Sequence, residues 1–287
     1  IANVEIPKHM QGAAFLGKHE AKPREYVFAA RDRMDERHDT IRAARDNRYK
    51  YIRNYPPDKP YDQYVSYCES WPIMQELRRV HNEGGLNEAQ GLFFRSTKPL
   101  EELYDTETDP HELNNLAESP EHLEQFDLLR DAMDKWLSAS NDLGVVPETE
   151  LDRFVPARQP TLTGPSGAKY TVSDTLEKAQ IFGKPLRHWI GELNGDDVLR
   201  RYRAIATIRL CTGDINDLLT KAIEDFDVCI AYWAAIGSGG PHRHASYLSL
   251  MQSLERYSTT IKLAAARGLL NTSSAHCTIA AQAALDR

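Results

Sequence analysis

The residue types that most readily suggest chemistry are concentrated in one short charged segment, residues 31–39. It reads Arg-Asp-Arg-Met-Asp-Glu-Arg-His-Asp, so eight of its nine residues are charged or histidine. Guanidinium groups bind oxyanions through paired hydrogen bonds, and carboxylates accept hydrogen bonds from sugar hydroxyls. A solvated surface is the alternative interpretation of such a run. The candidate residues for binding an acidic sugar are Arg33, Asp35, Arg37 and His38.

Two runs with the alternation of β-strands flank this segment. Tyr26–Ala30 is the first, and Thr40–Tyr55 is the second, which turn-forming residues at Asp46-Asn47 divide into a hairpin. The charged segment is therefore predicted to be a loop between strands, where rigid scaffolds often place binding groups. Within the second run, Arg42 and Arg45 are predicted to be structural residues, each of which forms a buried salt bridge or reaches a neighbouring carboxylate.

Amphipathic helices are predicted to cover this sheet. Apolar residues recur at helical spacing over residues 61–82, with a kink allowed at Pro72, and again over residues 119–137. Residues 93–104 are expected to contain a further strand. Residues 1–143 are thus predicted to form an α+β unit, a small antiparallel sheet with covering helices.

The chain changes character twice after this unit. Residues 144–175 are rich in proline, glycine and threonine, which predicts a linker. Residues 176–287 are helical, and similar segments begin at Arg200, Ile230 and Ile261. Helix pairs repeating about every thirty residues resemble HEAT repeats, so an all-α HEAT-like solenoid is predicted. Its equivalent inner positions are expected to be Tyr202, Trp233 and Ala264.

Composition narrows the choice of partners. The chain has 35 basic and 42 acidic residues in 287, a net charge of −7 that gives no support to a nucleic-acid or anionic-membrane surface. No apolar run approaches the roughly 20 residues that a membrane helix needs. Four cysteines without a C-x-x-C pair argue against a zinc site or disulfide framework and are interpreted as buried thiols. Neither nucleic acid nor membrane is therefore an expected partner.

Residues 98–117 identify a family more sharply than composition does. They read K-P-L-E-E-L-Y-D-T-E-T-D-P-H-E-L-N-N-L-A. With Pro7-Lys8-His9-Met10-Gln11-Gly12 and the motifs of residues 31–55, this segment resembles the C-terminal region of type I, formylglycine-dependent sulfatases of the alkaline phosphatase superfamily. Within that group it is similar to the branch that includes N-sulphoglucosamine sulphohydrolases. The resemblance covers about residues 1–150.

The resemblance implies that the reaction centre lies outside this chain. In the family, a Cys or Ser of a C/S-x-P-x-R motif becomes the formylglycine that attacks sulfur with the help of calcium. None of the four cysteines has a proline two positions later, and the family's aspartate metal ligands have no counterpart. Calcium and formylglycine are therefore expected in an N-terminal part, and no cofactor is expected in this chain. By itself the chain is expected to be inactive.

The function expected from the resemblance is that of a sulfatase part acting on sulfate esters or N-sulfate of carbohydrates. Its expected partners are a sulfated carbohydrate, an N-terminal catalytic domain and a protein bound to the helical repeats. A non-catalytic interaction scaffold built on those repeats is the alternative, and the motif disfavours a phosphodiesterase. The family implies a periplasmic or extracellular protein. Substrate identity, sulfate position and oligomeric state are not indicated by the sequence.

Overall fold

An antiparallel sheet forms the centre of the first half of the chain. The computed structural model describes residues 12–154, 169–174, 176–239, 247–254 and 258–270, together with Pro7, Met10 and Gln282. The four strands lie side by side in chain order. They are β1 (Val27–Met34), β2 (Arg37–Arg45), β3 (Tyr49–Asn54) and β4 (Glu101–Asp105). The predicted small antiparallel sheet is confirmed.

The charged segment 31–39 is not the loop that the sequence predicted. Strand β1 continues to Met34 and β2 begins at Arg37, so only Asp35 and Glu36 form the turn. Asp35 adopts a φ of 51°, a left-handed conformation that Asp tolerates better than most residues. The charged side chains therefore alternate between the two faces of a β-hairpin instead of sharing one loop.

The region between β3 and β4 is built from short exposed helices. They are α1 (Ser66–Glu69), α2 (Pro72–Asn82) and α3 (Glu88–Gly91), followed by a 3-10 turn at Leu92–Phe94. The prediction of one helix over residues 61–82 is wrong in extent, because the helix is interrupted between Glu69 and Pro72. Pro72 opens α2, where its missing N–H has no helical acceptor to lose, and does not kink a longer helix. None of the residues in α1–α3 is buried.

Helix α4 (Leu123–Ala139) follows a 3-10 turn at Pro120–His122 and packs on the sheet, as the apolar spacing predicted. Phe126, Leu129, Met133 and Leu137 are its buried residues. They form one core with Ala44, Tyr51 and Leu103 of the strands. The Tyr51 and Phe126 rings meet edge to face with centroids 5.5 Å apart.

The signature segment 98–117 stabilises this half of the molecule. Lys98 forms a buried ion pair with Asp39, with Nζ 2.5 Å from Oδ2. Buried Glu102 accepts hydrogen bonds from Asn54, Tyr61 and Tyr104. The remaining acids of the Glu-Glu-Leu-Tyr-Asp motif pair with arginines, Glu101 with Arg130 and Asp105 with Arg48. Because these acidic groups are hydrogen-bonded or ion-paired within the fold, the motif stabilises the sheet and its contact with α4.

Where the structure describes it, the second half is helical apart from a short hairpin of β5 (Gln180–Ile181) and β6 (Lys184–Pro185). Its helices are α5 (Leu186–Leu193), α6 (Val198–Ile208), α7 (Asn216–Ile223), α8 (Val228–Ser238), α9 (Tyr247–Ser253) and α10 (Thr259–Leu270). Consecutive helices pack as the pairs α5/α6, α7/α8 and α9/α10, and α8 contacts both α6 and α10. Tyr202, Trp233 and Ala264 are all buried on the second helix of a pair.

The two halves share a core. Val145 and Val146, at the start of the predicted linker, are buried in the same apolar cluster as helices α5–α8. Trp233 Nε1 donates a hydrogen bond to the Val145 carbonyl at 2.6 Å, and Arg209 Nη2 donates to the Tyr55 carbonyl at 2.6 Å. A 3-10 helix, Glu148–Phe154, follows this contact. Residues 155–168 and 175 of the predicted linker lie outside the described part of the chain.

Candidate functional site

Arg33 and His38 lie opposite each other near the tip of the β1–β2 hairpin, and both face the helical half. They are register partners across the two strands. Arg33 Nη2 donates a hydrogen bond to the Val146 carbonyl, and Arg33 Nε lies 3.8 Å from the exposed carboxylate of Glu148. These contacts anchor the hairpin to the segment that leads into the helices.

A cleft of about 250 Å³ opens beside His38. Its walls come from β2, the residues following Val146, and helices α8 and α10. The lining residues that carry polar groups are His38, Glu148, Thr149, Tyr232, Thr260 and Arg267. His38 Nε2 is buried and has no hydrogen-bond partner among the described residues. His38 therefore contributes to the cleft wall an imidazole whose Nε2 is buried and unpaired.

The electrostatics around His38 favour a neutral imidazole. Burial lowers the pKa of His38 to about 4, and the nearby charges of Lys59 and Arg33 oppose protonation further. Burial also lowers the pKa of Lys59, to about 8, so Lys59 is still a cation near neutral pH. Its Nζ donates to the His38 carbonyl. At pH 7 His38 can therefore exchange hydrogen bonds with a ligand but cannot supply positive charge to a sulfate.

The titration of His38 predicts a specific pH dependence of stability. The unfolded chain binds a proton near pH 6.5 and the folded chain only near pH 4, so the free energy of unfolding falls as pH drops from 6.5 to 4. Since the imidazole is only partly buried, we expect His38 to contribute about 2 kcal/mol of this loss. Urea unfolding at pH 7 and pH 4.5 should show a smaller loss for His38→Gln than for the unmodified chain.

The exposed residue His111 provides the matched control for this experiment. His111→Gln should keep the full pH dependence, because His111 is exposed and the substitution leaves the surroundings of His38 unchanged. An equal loss of stability in His38→Gln and the unmodified chain would contradict the buried, neutral state assigned to His38.

Asp35 and Arg37 do not line the cleft beside His38, and they are separated from Arg33. Asp35 is exposed at the turn, and Arg37 pairs in register with Met34, the position next to Arg33 on β1. Neighbouring residues of a strand point to opposite faces. The pKa of Glu69 on α1 is lowered chiefly by its hydrogen bond to Arg78, with a smaller contribution from Arg37. The four predicted residues are therefore brought to one hairpin tip but divided between its faces.

An exposed aromatic surface lies beside α1 and α2. The helical spacing predicts that Tyr64, Tyr67 and Trp71 belong to the face that covers the sheet, yet they are 65%, 65% and 43% exposed. The Tyr67 and Trp71 rings contact each other edge to face at 5.1 Å. Ser66 Oγ donates to the carboxylate of Glu36 in the hairpin turn, which holds this surface beside the tip. Periodicity alone does not distinguish a covered apolar face from an uncovered one.

The two arginines predicted to be structural differ. The side chain of Arg42 is fully buried and forms ion pairs with Asp32 at 2.9 Å and Asp142 at 2.7 Å, as predicted. Arg45 is exposed and donates one hydrogen bond to the hydroxyl of Thr106. Neither carboxylate contact predicted for Arg45 occurs among the described residues, because its side chain is exposed at the end of β2.

The described residues do not fit a calcium site. No group of three or more His, Cys, Asp or Glu side chains within the described ranges is placed to hold a metal ion. No step of a calcium-assisted reaction is therefore assigned to them. Among the cysteines, Cys211 and Cys229 are buried thiols as predicted, Cys68 is only half-buried, and Cys277 lies outside the described residues. No helix in the described ranges is both long and apolar enough for a bilayer crossing.

Comparison with known proteins relates about half of this chain to sulfatases. No family model matches it. Two ulvan-active sulfatases of Formosa agariphila are similar: one is 51% identical over 148 residues, which is 51% of this chain and 25% of that protein. The other is 31% identical over 149 residues, 50% of this chain and 27% of that protein. The chain spans about a quarter of the length of these relatives, and the two similarities support a sulfatase relationship.

Proposed function

We propose that this chain is the C-terminal part of a sulfatase that hydrolyses sulfate groups of a carbohydrate. The observation that carries the proposal is the 51% identity over 148 residues to an ulvan-active sulfatase. Because both relatives are named for ulvan, a sulfated polysaccharide of that kind is the first substrate to test. An N-sulphoglucosamine substrate, which the motif resemblance suggested, is the second.

On this proposal the chain contributes part of the substrate-binding surface at the hairpin tip. Asp35 and Arg37 are the best placed of the four candidates, since Asp35 is exposed and Arg37 lies on the hairpin face opposite to the one that Val146 and Glu148 hold through Arg33. The neighbouring rings of Tyr67 and Trp71 offer apolar faces to a sugar. His38 remains a candidate from the side of the cleft, and Arg33 remains one as its register partner. Formylglycine and calcium would belong to an N-terminal catalytic part.

The first test is turnover by the chain itself. The purified chain should not hydrolyse a chromogenic sulfate ester or ulvan, with or without added calcium, because no cysteine in it occupies a formylglycine motif. The full-length protein, produced with a formylglycine-generating enzyme, should hydrolyse the sulfate of one of the two substrate classes. Turnover by the chain alone that survives stringent purification, or a full-length protein inactive on both classes, would contradict the proposal.

The same assay tests the hairpin tip. Arg37→Ala in the full-length protein should lower kcat/KM by about tenfold, the effect of losing one charge-assisted hydrogen bond to an anionic substrate. Arg45→Ala is the matched control, because Arg45 is an exposed arginine at the opposite end of the same strand. Equal kinetics for both variants would place the substrate elsewhere.

The helical half has a second candidate role as a protein-binding, HEAT-like array. Its support is the regular pairing of α5–α10 and the aspartates that cap the second helices, Asp197 of α6 and Asp227 of α8, thirty residues apart. Against a free scaffold, Trp233 of the array is used within the chain, where it contacts Val145. We therefore favour a HEAT-like unit that supports the sulfatase-like half, with any protein partner bound to its outer surface.

A further inference from the structure

A basic cavity lies between the two halves, on the side of the sheet that α4 covers. It has a volume of about 220 Å³ and is bounded by β3, α4, β6, α5 and α6. Its charged lining residues are the cations Arg53, Lys184, Arg200 and Arg203 and the acids Asp134 and Glu192. Cations therefore exceed acids by two. None of these residues belongs to the hairpin tip.

Arg53 supplies a buried donor without an acceptor. Its side chain is 1% exposed and stacks against the ring of Phe182, with the guanidinium carbon 4.2 Å from the ring centroid. Nη1 donates to Asp134 at 2.8 Å and Nε to the hydroxyl of Tyr51 at 3.0 Å. Nη2 has no hydrogen-bond partner among the described residues. Because Nη2 itself is buried, Arg53 acts on the cavity through its positive charge.

The acids of the cavity are already engaged by other cations. The second carboxylate oxygen of Asp134 lies 2.6 Å from Lys184 Nζ, and Glu192 lies 3.5 Å from Arg200. Arg203 has no hydrogen bond or ion pair with a described residue, although it lines the same cavity. Arg203 therefore lines a space of several water volumes without a protein anion as its partner, and Arg53 places a second positive charge in the wall of that space.

We propose that this cavity binds the sulfate group of an acidic saccharide, which accepts hydrogen bonds from Arg203 while Arg53 and Lys184 add positive charge. A cavity of this kind favours an oxyanion, since charge-assisted hydrogen bonds are the strong ones. The anion site rests on the geometry of this chain alone. The choice of a saccharide as the carrier of the sulfate rests on the proposed function.

Binding of inorganic sulfate to the purified chain tests the anion site. At equal ionic strength, sodium sulfate should bind by calorimetry and raise the unfolding temperature relative to sodium chloride. Arg203→Gln should weaken sulfate binding about tenfold, whereas Glu192→Gln should strengthen it by removing a nearby negative charge. Arg187→Gln is the matched control, because Arg187 is exposed on α5 and does not line the cavity.

A sulfated ulvan oligosaccharide and its desulfated counterpart test the carrier. The sulfated form should bind more tightly than inorganic sulfate, and desulfation should abolish binding. Sulfate binding without oligosaccharide binding would overturn the saccharide assignment, and equal affinities of Arg203→Gln and Arg187→Gln would overturn the anion site. These experiments measure binding and not turnover. A chain that binds no sulfate would therefore not contradict the sulfatase proposal, and a full-length protein without sulfatase activity would not contradict the anion site.

Discussion

Replacing Arg42 with methionine is expected to lower the free energy of unfolding by about 3–5 kcal/mol, the range observed when one partner of a buried ion pair is removed. The guanidinium of Arg42 donates to both carboxylate oxygens of Asp32 and to Asp142, and it also donates to the carbonyls of Arg31 and Ile41. Methionine fills most of the space but leaves Asp32 and Asp142 without their cation. The cost is therefore unpaired buried charge and not lost volume.

Urea denaturation of purified Arg42→Met and Arg45→Met measures this effect with a control in the same strand. Arg45 is exposed and makes a single hydrogen bond, so Arg45→Met should stay within about 0.5 kcal/mol of the unmodified chain. A loss below about 1 kcal/mol for Arg42→Met would show that water reaches the two aspartates.

Gly144 provides an independent route to the same ion pair. A Cβ at Gly144 would lie 1.6 Å from Arg42 Nη2 and 2.6 Å from Asp32 Oδ1, so Gly144→Ala must displace the guanidinium. Thr40 also donates to the Gly144 carbonyl, which ties this residue to β2. In the Arg42→Met background, Gly144→Ala should cost clearly less than it does alone, because the two substitutions act on one network.

The elements that the sequence predicted well are those whose signal is local. The alternation in residues 49–53 is sufficient for β3, and the spacing from Phe126 to Leu137 is sufficient for α4, because each buries one face against a single neighbouring layer. The repeated segments at Arg200, Ile230 and Ile261 likewise predicted α6, α8 and α10.

The errors arise where distant parts of the chain decide the outcome. The charged segment forms strands because the helical half covers one hairpin face, and its anchor, Val146, is 113 residues from Arg33. Asp142, which pairs with Arg42, is 100 residues away. The basic cavity collects Arg53, Asp134, Lys184 and Arg203 from four separate elements. No short-range pattern links such residues, so neither the divided site nor the cavity could be predicted from one sequence.

The contact of Trp233 with Val145 predicts that the two halves unfold together. Trp233 is 4% exposed, its indole N–H is bonded to the Val145 carbonyl, and the guanidinium of Arg209 lies 4.9 Å from its ring centroid. Trp233→Ala removes a large buried side chain and leaves that carbonyl without its donor. We expect a loss of about 3–5 kcal/mol in the free energy of unfolding, as for other buried Trp or Phe truncations.

Trp71→Ala is the matched control for the size of this loss. Trp71→Ala removes the same side chain, but the Trp71 ring is 43% exposed and lies on a surface that no described residue covers fully. Urea denaturation should therefore show a much smaller loss for Trp71→Ala than for Trp233→Ala. Similar losses for the two variants would contradict the assignment of Trp233 to the shared core.

Whether the halves unfold together is measured with one probe in each half. Far-ultraviolet circular dichroism is weighted toward the second half, which holds helices α5–α10 against α1–α4 in the first, and the fluorescence of Trp136, which stacks on Phe28, reports the contact of α4 with the sheet. In the reference chain, Trp71, Trp189 and Trp233 are replaced by phenylalanine, so the fluorescence comes from Trp136. The test variant is the same chain with alanine instead of phenylalanine at position 233. Both thermal transitions should shift by the same number of degrees, because the apolar cluster containing Val145 and Val146 is continuous with α8. If the circular dichroism transition moved and the fluorescence transition stayed in place, the prediction would be contradicted. The two halves would then unfold independently, with the boundary at residue 143 that the sequence predicted.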